Sequence, residues 1–327
     1  MPHIDLDLPF PSRISPYLDQ VRAAHTSWVQ AMGVVTPGAA TDEHLAHQTC
    51  EMVALIFPQY DLPGVQLIAD ATGGPLMKMN DHFTAVTHSV EQVNRARDRY
   101  LSVMTVPPGR PPADPDSPGD MDLDPVARAW LDVWARQSYA RSPAWQERVR
   151  ANWIDWIDAN VEEAEHNRNG HVLDKADYFR LRRRTIGTEV WYDLREAAGR
   201  FELPARVRDS GPIRAMHEAS SDVMWLINEI FSLERDEADG VLHNLVFILQ
   251  HQQALSRAQA IAEVKALIGD RVSRFQHHAT ELPALHDDLS LTATEAHALT
   301  CFVDGMQSLI RGNYDMSRTA GRYAEVK

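Results

Sequence analysis

The segment Leu226-Ile-Asn-Glu-Ile-Phe-Ser-Leu-Glu-Arg-Asp236 decides how this chain is read. Asn228, Ser232 and Asp236 each stand four residues from the next. On an α-helix a step of four turns about 400°, so the three side chains lie along one face. They offer an amide oxygen, a hydroxyl and a carboxylate. That hard-oxygen set suits Mg²⁺, which takes a few protein oxygens and fills its shell with water and substrate phosphates. Three polar residues at this spacing ordinarily mark a solvated helix face. Here Trp225, Leu226, Ile227, Ile230, Phe231 and Leu233 surround them, so the helix reads as buried. Buried oxygens need partners, and a metal carrying a diphosphate supplies them.

Working outward, apolar residues recur at three and four spacing through most of the chain. The periodicity predicts helices over Leu18 to Met32, His44 to Phe57, Leu76 to Met104, Val126 to Tyr139 and Ala144 to His166. It predicts others over Lys175 to Ala198, Ile213 to Glu237, His243 to Gln250, Leu255 to Glu281 and Ala293 to Asn313. No period-two strand or Asn-Gly or Asp-Gly hairpin stands out. The chain reads as all-α. Pro107 to Pro125, rich in Pro, Gly and Asp, reads as an exposed loop, and Leu203 to Pro212 as a second break. Neither separates regions of different composition, so the expectation is a single domain over 1–327 with an internal loop at about 105–125.

A formal charge of -14 disfavours nucleic acid or an anionic membrane as partner, because binding phosphate arrays needs an excess of Lys and Arg. Cys50 and Cys301 are the only cysteines and read as free thiols in a reducing compartment. The start, Met1-Pro-His-Ile-Asp, lacks the pattern of a signal peptide. No apolar run approaches the ~18 residues of a membrane-spanning helix. A soluble cytoplasmic protein is expected.

Asn228-Glu-Ile-Phe-Ser232-Leu-Glu-Arg-Asp236 resembles the second metal motif of the bacterial class I terpene synthases. In that family Asn, Ser and a terminal Glu bind one Mg²⁺. Here the last ligand would be Asp236, one methylene shorter; Glu237 falls about 100° round the helix. The following Asp239-Gly240 and His243-Asn244-Leu245-Val246 are also similar to the family. Asn80-Asp-His-Phe-Thr84 stands where the family carries its aspartate-rich motif, with two expected carboxylates missing. The resemblance makes Asp81 a metal ligand and leaves Asn80 open. A competing reading has Asp81 order waters around a cluster held by diphosphate and the Asn228 triad.

The family's Tyr-x-x-x-Arg-Arg-x-Thr-x-Gly is matched by Tyr178, Arg182, Arg183, Thr185 and Gly187. This puts the diphosphate sensor on Arg182, and on Ile186 and Gly187 the helix break that points a carbonyl at the substrate. Arg180, Arg183 and Arg184 read as structural or surface residues. The C-terminal Ser317-Arg-Thr-Ala-Gly-Arg322-Tyr323 is similar to the family's closing Arg-Tyr pair, and Arg235 completes the implied diphosphate donors. The resemblance runs from Leu8-Pro9-Phe10 to Tyr323.

What it implies is a class I terpenoid synthase helical bundle around a central apolar cavity. Mg²⁺, three ions with diphosphate, or Mn²⁺ in its place, would ionise geranyl or farnesyl diphosphate. The cation would be quenched to a small terpene, best an acyclic alcohol of the linalool or nerolidol type. The alternatives are a cyclic monoterpene or sesquiterpene, or a non-catalytic prenyl-diphosphate-binding protein on the same scaffold. A head-to-tail prenyltransferase would need two intact aspartate-rich motifs, and the chain has neither. A monomer or homodimer is expected. Phe57, Phe179 and Tyr314 are candidates for aromatic pocket walls that stabilise a cation, and Leu76 and Met77, a turn before Asp81, for its aliphatic wall. Trp153 and Trp156 read as core. His286-Asp-Asp288 reads as an interhelical loop, and His277-His278 lacks the further ligands of a zinc site.

Overall fold

The computed structural model describes residues 4–84, 89–105 and 123–319, and within these it is helical with no strand. The first helices are α1 (Leu18–Ala31), α2 (Ala39–Ala46) and α3 (Thr49–Ile56). The single helix expected over His44 to Phe57 is therefore two, broken at Gln48, which takes a left-handed φ of 57°. Next, α4 (Leu62–Ala71), capped by Asp61, runs straight into a π-helical turn over Thr72–Leu76. Periodicity misses both, because Gly73-Gly74-Pro75 looks like a helix stop. The wider π turn accepts a proline without ending the helix, and such turns recur at functional sites.

The helix expected over Leu76 to Met104 also divides, into α5 (Met77–Thr84) and α6 (Val90–Val103). Ser89 and Gln92 form a reciprocal capping box that starts the second piece. Helix α7 (Pro125–Ser138) starts at the end of the expected loop, with Asp124 as cap and Pro125 in its first turn. The rest of the Pro-rich loop lies outside the described residues. Helix α8 (Pro143–Arg168) follows, then α9 (Lys175–Thr185) and α10 (Thr188–Gly199), with the expected break at Ile186 and Gly187. The second expected break contains one short helix, α11 (Ala205–Arg208).

Helix α12 (Gly211–Phe231) is buried on nearly every side, as its composition predicts, and continues after Ser232 as α13 (Leu233–Ala238). It packs against α14 (Leu245–Gln253), α15 (Arg257–Ala279) and α17 (Ala293–Thr319). The expected loop at His286 is instead a short helix, α16 (Leu282–Asp288), with Pro283 in its first turn, where a missing N–H costs nothing. One apolar cluster runs through the described residues, from Leu6 to Met316. No helix among them is long and apolar enough to cross a membrane. Helices α2, α3, α5, α8, α9, α10, α12, α13 and α17, with the π turn, contribute to the wall of a cavity of about 880 Å³.

Candidate active site

The four-residue ladder that places Asn228, Ser232 and Asp236 on one face is intact. Ser232 N–H donates to the Asn228 carbonyl, and Asp236 N–H to the Ser232 carbonyl, both over 2.8 Å. Asn228 and Asp236 line the cavity. Ser232, 1% exposed, does not; its hydroxyl donates to Asp236 Oδ2 over 2.5 Å. Asn244 Nδ2 donates to the same oxygen over 3.0 Å, and Arg235 to Asp236 Oδ1 over 3.2 Å. The Asp236 carboxylate is thus held from three sides.

Glu229, which sequence reasoning passed over, organises this wall. It is 2% exposed and still lines the cavity. Its Oε1 accepts from Arg182 Nε over 2.8 Å, and its Oε2 from the Tyr178 hydroxyl over 2.6 Å and from Leu245 N–H over 2.7 Å. The i, i+4 spacing of Tyr178 and Arg182 sets both on one face of α9, and both grip the same carboxylate. Arg182 Nη2 also donates to Asn228 Oδ1 over 2.8 Å. Burial works against the Arg182 charge, but Glu229 outweighs it, with Tyr178 and Glu163 assisting, and holds the guanidinium above its ordinary range. Glu163, on α8, also lines the cavity. Burial pushes its carboxyl up, and Glu229 and Asp236 push the same way against the pull of Arg182. No spacing in α8 marks Glu163 from sequence.

The other arginines of α9 point elsewhere. Arg183 forks onto Asp222 with two 2.7 Å bonds. Arg184 pairs with Asp155 and Glu162, and exposed Arg180 with Asp177. Ile186 and Gly187 line the cavity beside Arg182. Gly187 has φ 77°, and a Cβ there would stand 3.1 Å from Trp156 Nε1, so glycine satisfies both the turn and the close approach.

Leu76, at the end of the π turn, and Met77, on α5, line the cavity, followed on α5 by Asn80 and Asp81. Asp81 is exposed, 3.8 Å from Lys78 Nζ. The side chain of Thr84 lies outside what is described, and so do Arg322 and Tyr323. Three expected wall residues stand behind the wall. Phe57 is fully buried and packs edge-on against Trp191. Phe179 packs edge-on against Trp225 at 4.8 Å. Tyr314 turns its hydroxyl to the N-terminal segment, donating to the Ile4 carbonyl and accepting from Leu6 N–H. The aromatic wall is Phe83, Trp156 and Trp191 instead. Trp156, expected as core, donates Nε1 to the Thr185 carbonyl and lines the cavity beside that bond. At this level periodicity separates buried from exposed, not cavity wall from core. Away from the cavity, Glu281 stands beside His277 and His278 on the surface, their ligand atoms within 4.8 Å of one another, short of the four ligands of a structural zinc site.

The donor set fits a divalent cation with an anionic ligand. Asn228 and Asp236 supply hard oxygens, Asp81 supplies another carboxylate, and Arg182 and Arg235 stand beside them on the same cavity. Known proteins agree. The family described as "Terpene synthase family 2, C-terminal metal binding" matches residues 78–274. Pentalenene synthase of Streptomyces avermitilis is 31% identical over 98% of this chain and 93% of its own length. R-linalool synthase of Streptomyces clavuligerus is 28% identical, over 99% of this chain and 94% of its own. Among solved structures, an α-eudesmol synthase superposes with a TM-score of 0.84 at 25% identity, covering 97% of this chain and 100% of that one. The linalool/nerolidol synthase of Streptomyces clavuligerus gives 0.82 at 27% identity, covering 96% and 100%. A buried oxygen ladder, a carboxylate-held arginine and a cavity with polar and apolar walls thus sit on a backbone shared over nearly all of its length with these enzymes, and the chain belongs to the bacterial class I terpene synthases.

Proposed function

We propose that this enzyme ionises a ten- or fifteen-carbon prenyl diphosphate with Mg²⁺ and quenches the cation inside its cavity. The observation that carries the reading is the convergence of Asn228, Asp236, Arg182 and an apolar wall on one cavity. Asn228, Ser232 and Asp236 would hold one ion, with Asp81 serving others; Mn²⁺ would fit the same oxygens. Bound there, the ions would neutralise charge on the departing diphosphate. Arg182 and Arg235 bind and orient the diphosphate, joined by Arg322 and Tyr323 from the C-terminal segment. Arg182 is set in place by Glu229 and Tyr178 before substrate arrives, so little reorganisation accompanies bond breaking. Ile186 and Gly187 form the break beside the sensor. Leu76, Met77, Phe83, Trp156 and Trp191 exclude water and fold the chain.

A farnesyl substrate and a cyclic product draw support from the pentalenene, eudesmol and caryophyllene synthases among the relatives. An acyclic alcohol, linalool or nerolidol, is the second reading. Asn80 and the missing carboxylates favour it by loosening the cluster and admitting water, as does the similarity to R-linalool synthase. Incubation with geranyl and farnesyl diphosphates, with and without Mg²⁺, followed by headspace gas chromatography, tests both. Turnover undiminished in excess chelator removes the metal mechanism.

A further inference from the structure

Where α15 ends and α16 begins, three side chains bring metal-binding atoms together. The ligand atoms of His277, His278 and Glu281 lie within 4.8 Å of one another. His277 Nε2 stands 3.5 Å from Glu281 Oε1, and His278 Nδ1 stands 3.3 Å from Glu281 Oε2. The two rings meet edge to face, their centroids 5.1 Å apart. None of the three lines the cavity. In a tetrahedral metal site with bonds of ~2.0–2.1 Å, neighbouring ligand atoms are about 3.3 Å apart. The two nitrogen–oxygen spacings are already close to that value.

The local fold sets up this arrangement. Helix α15 buries Val264, Ile268, Val272 and Phe275 and leaves His277 exposed and His278 half-buried at its last turn. The chain then folds back on the helix end. Thr280 donates its N–H and its hydroxyl to the His277 carbonyl, over 3.1 and 2.6 Å, and Glu281 N–H donates to the His278 carbonyl over 3.1 Å. These bonds return the Glu281 side chain to the two histidines. A carboxylate placed in advance loses little freedom when an ion binds. The C-terminal end of a helix is also its negative pole and favours a cation. Arg274, the nearest basic residue along the helix, is drawn to Glu218 at 3.5 Å.

We propose that His277, His278 and Glu281 form a surface site for a divalent transition-metal ion of the Zn²⁺ type. Two imidazole nitrogens and one carboxylate hold the ion. The fourth position faces solvent and takes water, as in zinc sites with three protein ligands. Two nitrogens among three ligands select against Mg²⁺ and Ca²⁺, which prefer oxygen, and favour Zn²⁺, Ni²⁺ or Cu²⁺. Binding displaces any proton on the two facing nitrogens. The site differs in ligand chemistry from the Mg²⁺ cluster proposed at the cavity and does not depend on that reading. An ion here ties the last turn of α15 to the residue before α16.

The test uses the full chain without an affinity tag, stripped with chelator and then held in excess Mg²⁺. Titration with Zn²⁺ against a chromophoric chelator is expected to reveal a site filled at one ion per chain. His277→Ala, His278→Ala and Glu281→Ala should each weaken it by at least about tenfold, the loss that follows removal of even an outer-shell partner. His286→Ala, which changes a surface histidine outside the group, should leave it intact. Circular dichroism checks that each variant is folded. Should one not fold, nitrogen NMR of histidine-labelled wild-type protein decides. The Nε2 signal of His277 and the Nδ1 signal of His278 should move together and stop at one equivalent of Zn²⁺. Rings that do not respond, no Zn²⁺ uptake in excess Mg²⁺, or uptake that any one of the three folded alanine variants leaves undiminished overturns the site.

Discussion

The two walls of the cavity proposed to hold metal are built differently. On α12 and α13 every candidate ligand is tied down: Asn228 by Arg182, and Asp236 by Ser232, Asn244 and Arg235. On α5, Asp81 is exposed with a 3.8 Å approach from Lys78, and Asn80 beside it is exposed and uncharged. One wall holds its candidate ligands among buried partners; the other leaves Asp81 exposed to solvent. Oxygens fixed in advance lose little entropy on coordination, whereas an exposed side chain must be immobilised first. The Asn228 wall should therefore carry most of the binding of metal and diphosphate.

The sharpest way to break this comparison is to remove one ligand from each wall. Asn228→Ala is expected to lower kcat by on the order of 1,000-fold, and Asp81→Ala by about tenfold, each with unchanged circular dichroism. Equal losses would erase the asymmetry. Next in size is the arginine contrast. Arg182→Ala should cost about 2–4 kcal/mol of transition-state stabilisation, read as kcat/KM. Arg184→Ala, a surface pair with Asp155 and Glu162, should change it less than about threefold. Similar small losses for both would show that Arg182 is an ordinary core ion pair. Glu229→Gln separates structure from chemistry at the same place. Breaking a buried pair costs about 3–5 kcal/mol, so thermal unfolding should shift down by several degrees even without substrate. An unshifted melting temperature would mean that Arg182 does not depend on Glu229.

The difference between the walls also marks what could be read from sequence. The Asn228 helix stands out, because a helix apolar on most sides is buried and its oxygens at four-residue spacing then need partners. Its supports do not. Glu229 looks like any acid in a helix, and its partners Tyr178 and Leu245 come together only in three dimensions. Most of the longer helices were legible from periodicity, α4 being missed, while helix ends were set by single residues such as Gln48 and the Ser89 capping box. The π turn was hidden because Gly-Gly-Pro has two readings locally and only packing against α1 and α7 decides between them. Phe57, Phe179 and Tyr314 fail as wall residues for a related reason. Hydrophobicity places a side chain inside the molecule, but whether it meets another side chain or a cavity depends on helix rotations of a few tens of degrees.

The smallest effect is the most specific. Asn80→Asp restores a carboxylate beside Asp81 on the loosely built wall. Asn80 is exposed, so the added charge acts through water, where such interactions contribute about 0.2–1 kcal/mol. At 1.4 kcal/mol per tenfold, half-saturation by Mg²⁺ should fall by about fivefold at most. Measured with saturating prenyl diphosphate, that shift should come with little change in kcat if, as proposed, Asn228 and Arg182 set the leaving-group contacts. The product tells more than the constant does. If the missing carboxylate leaves the cavity poorly sealed, a tighter cluster should exclude water and move the mixture from alcohol toward hydrocarbon. A lower Mg²⁺ requirement with an unchanged mixture would separate metal affinity from sealing, and the choice between water capture and proton loss would then rest with the apolar wall.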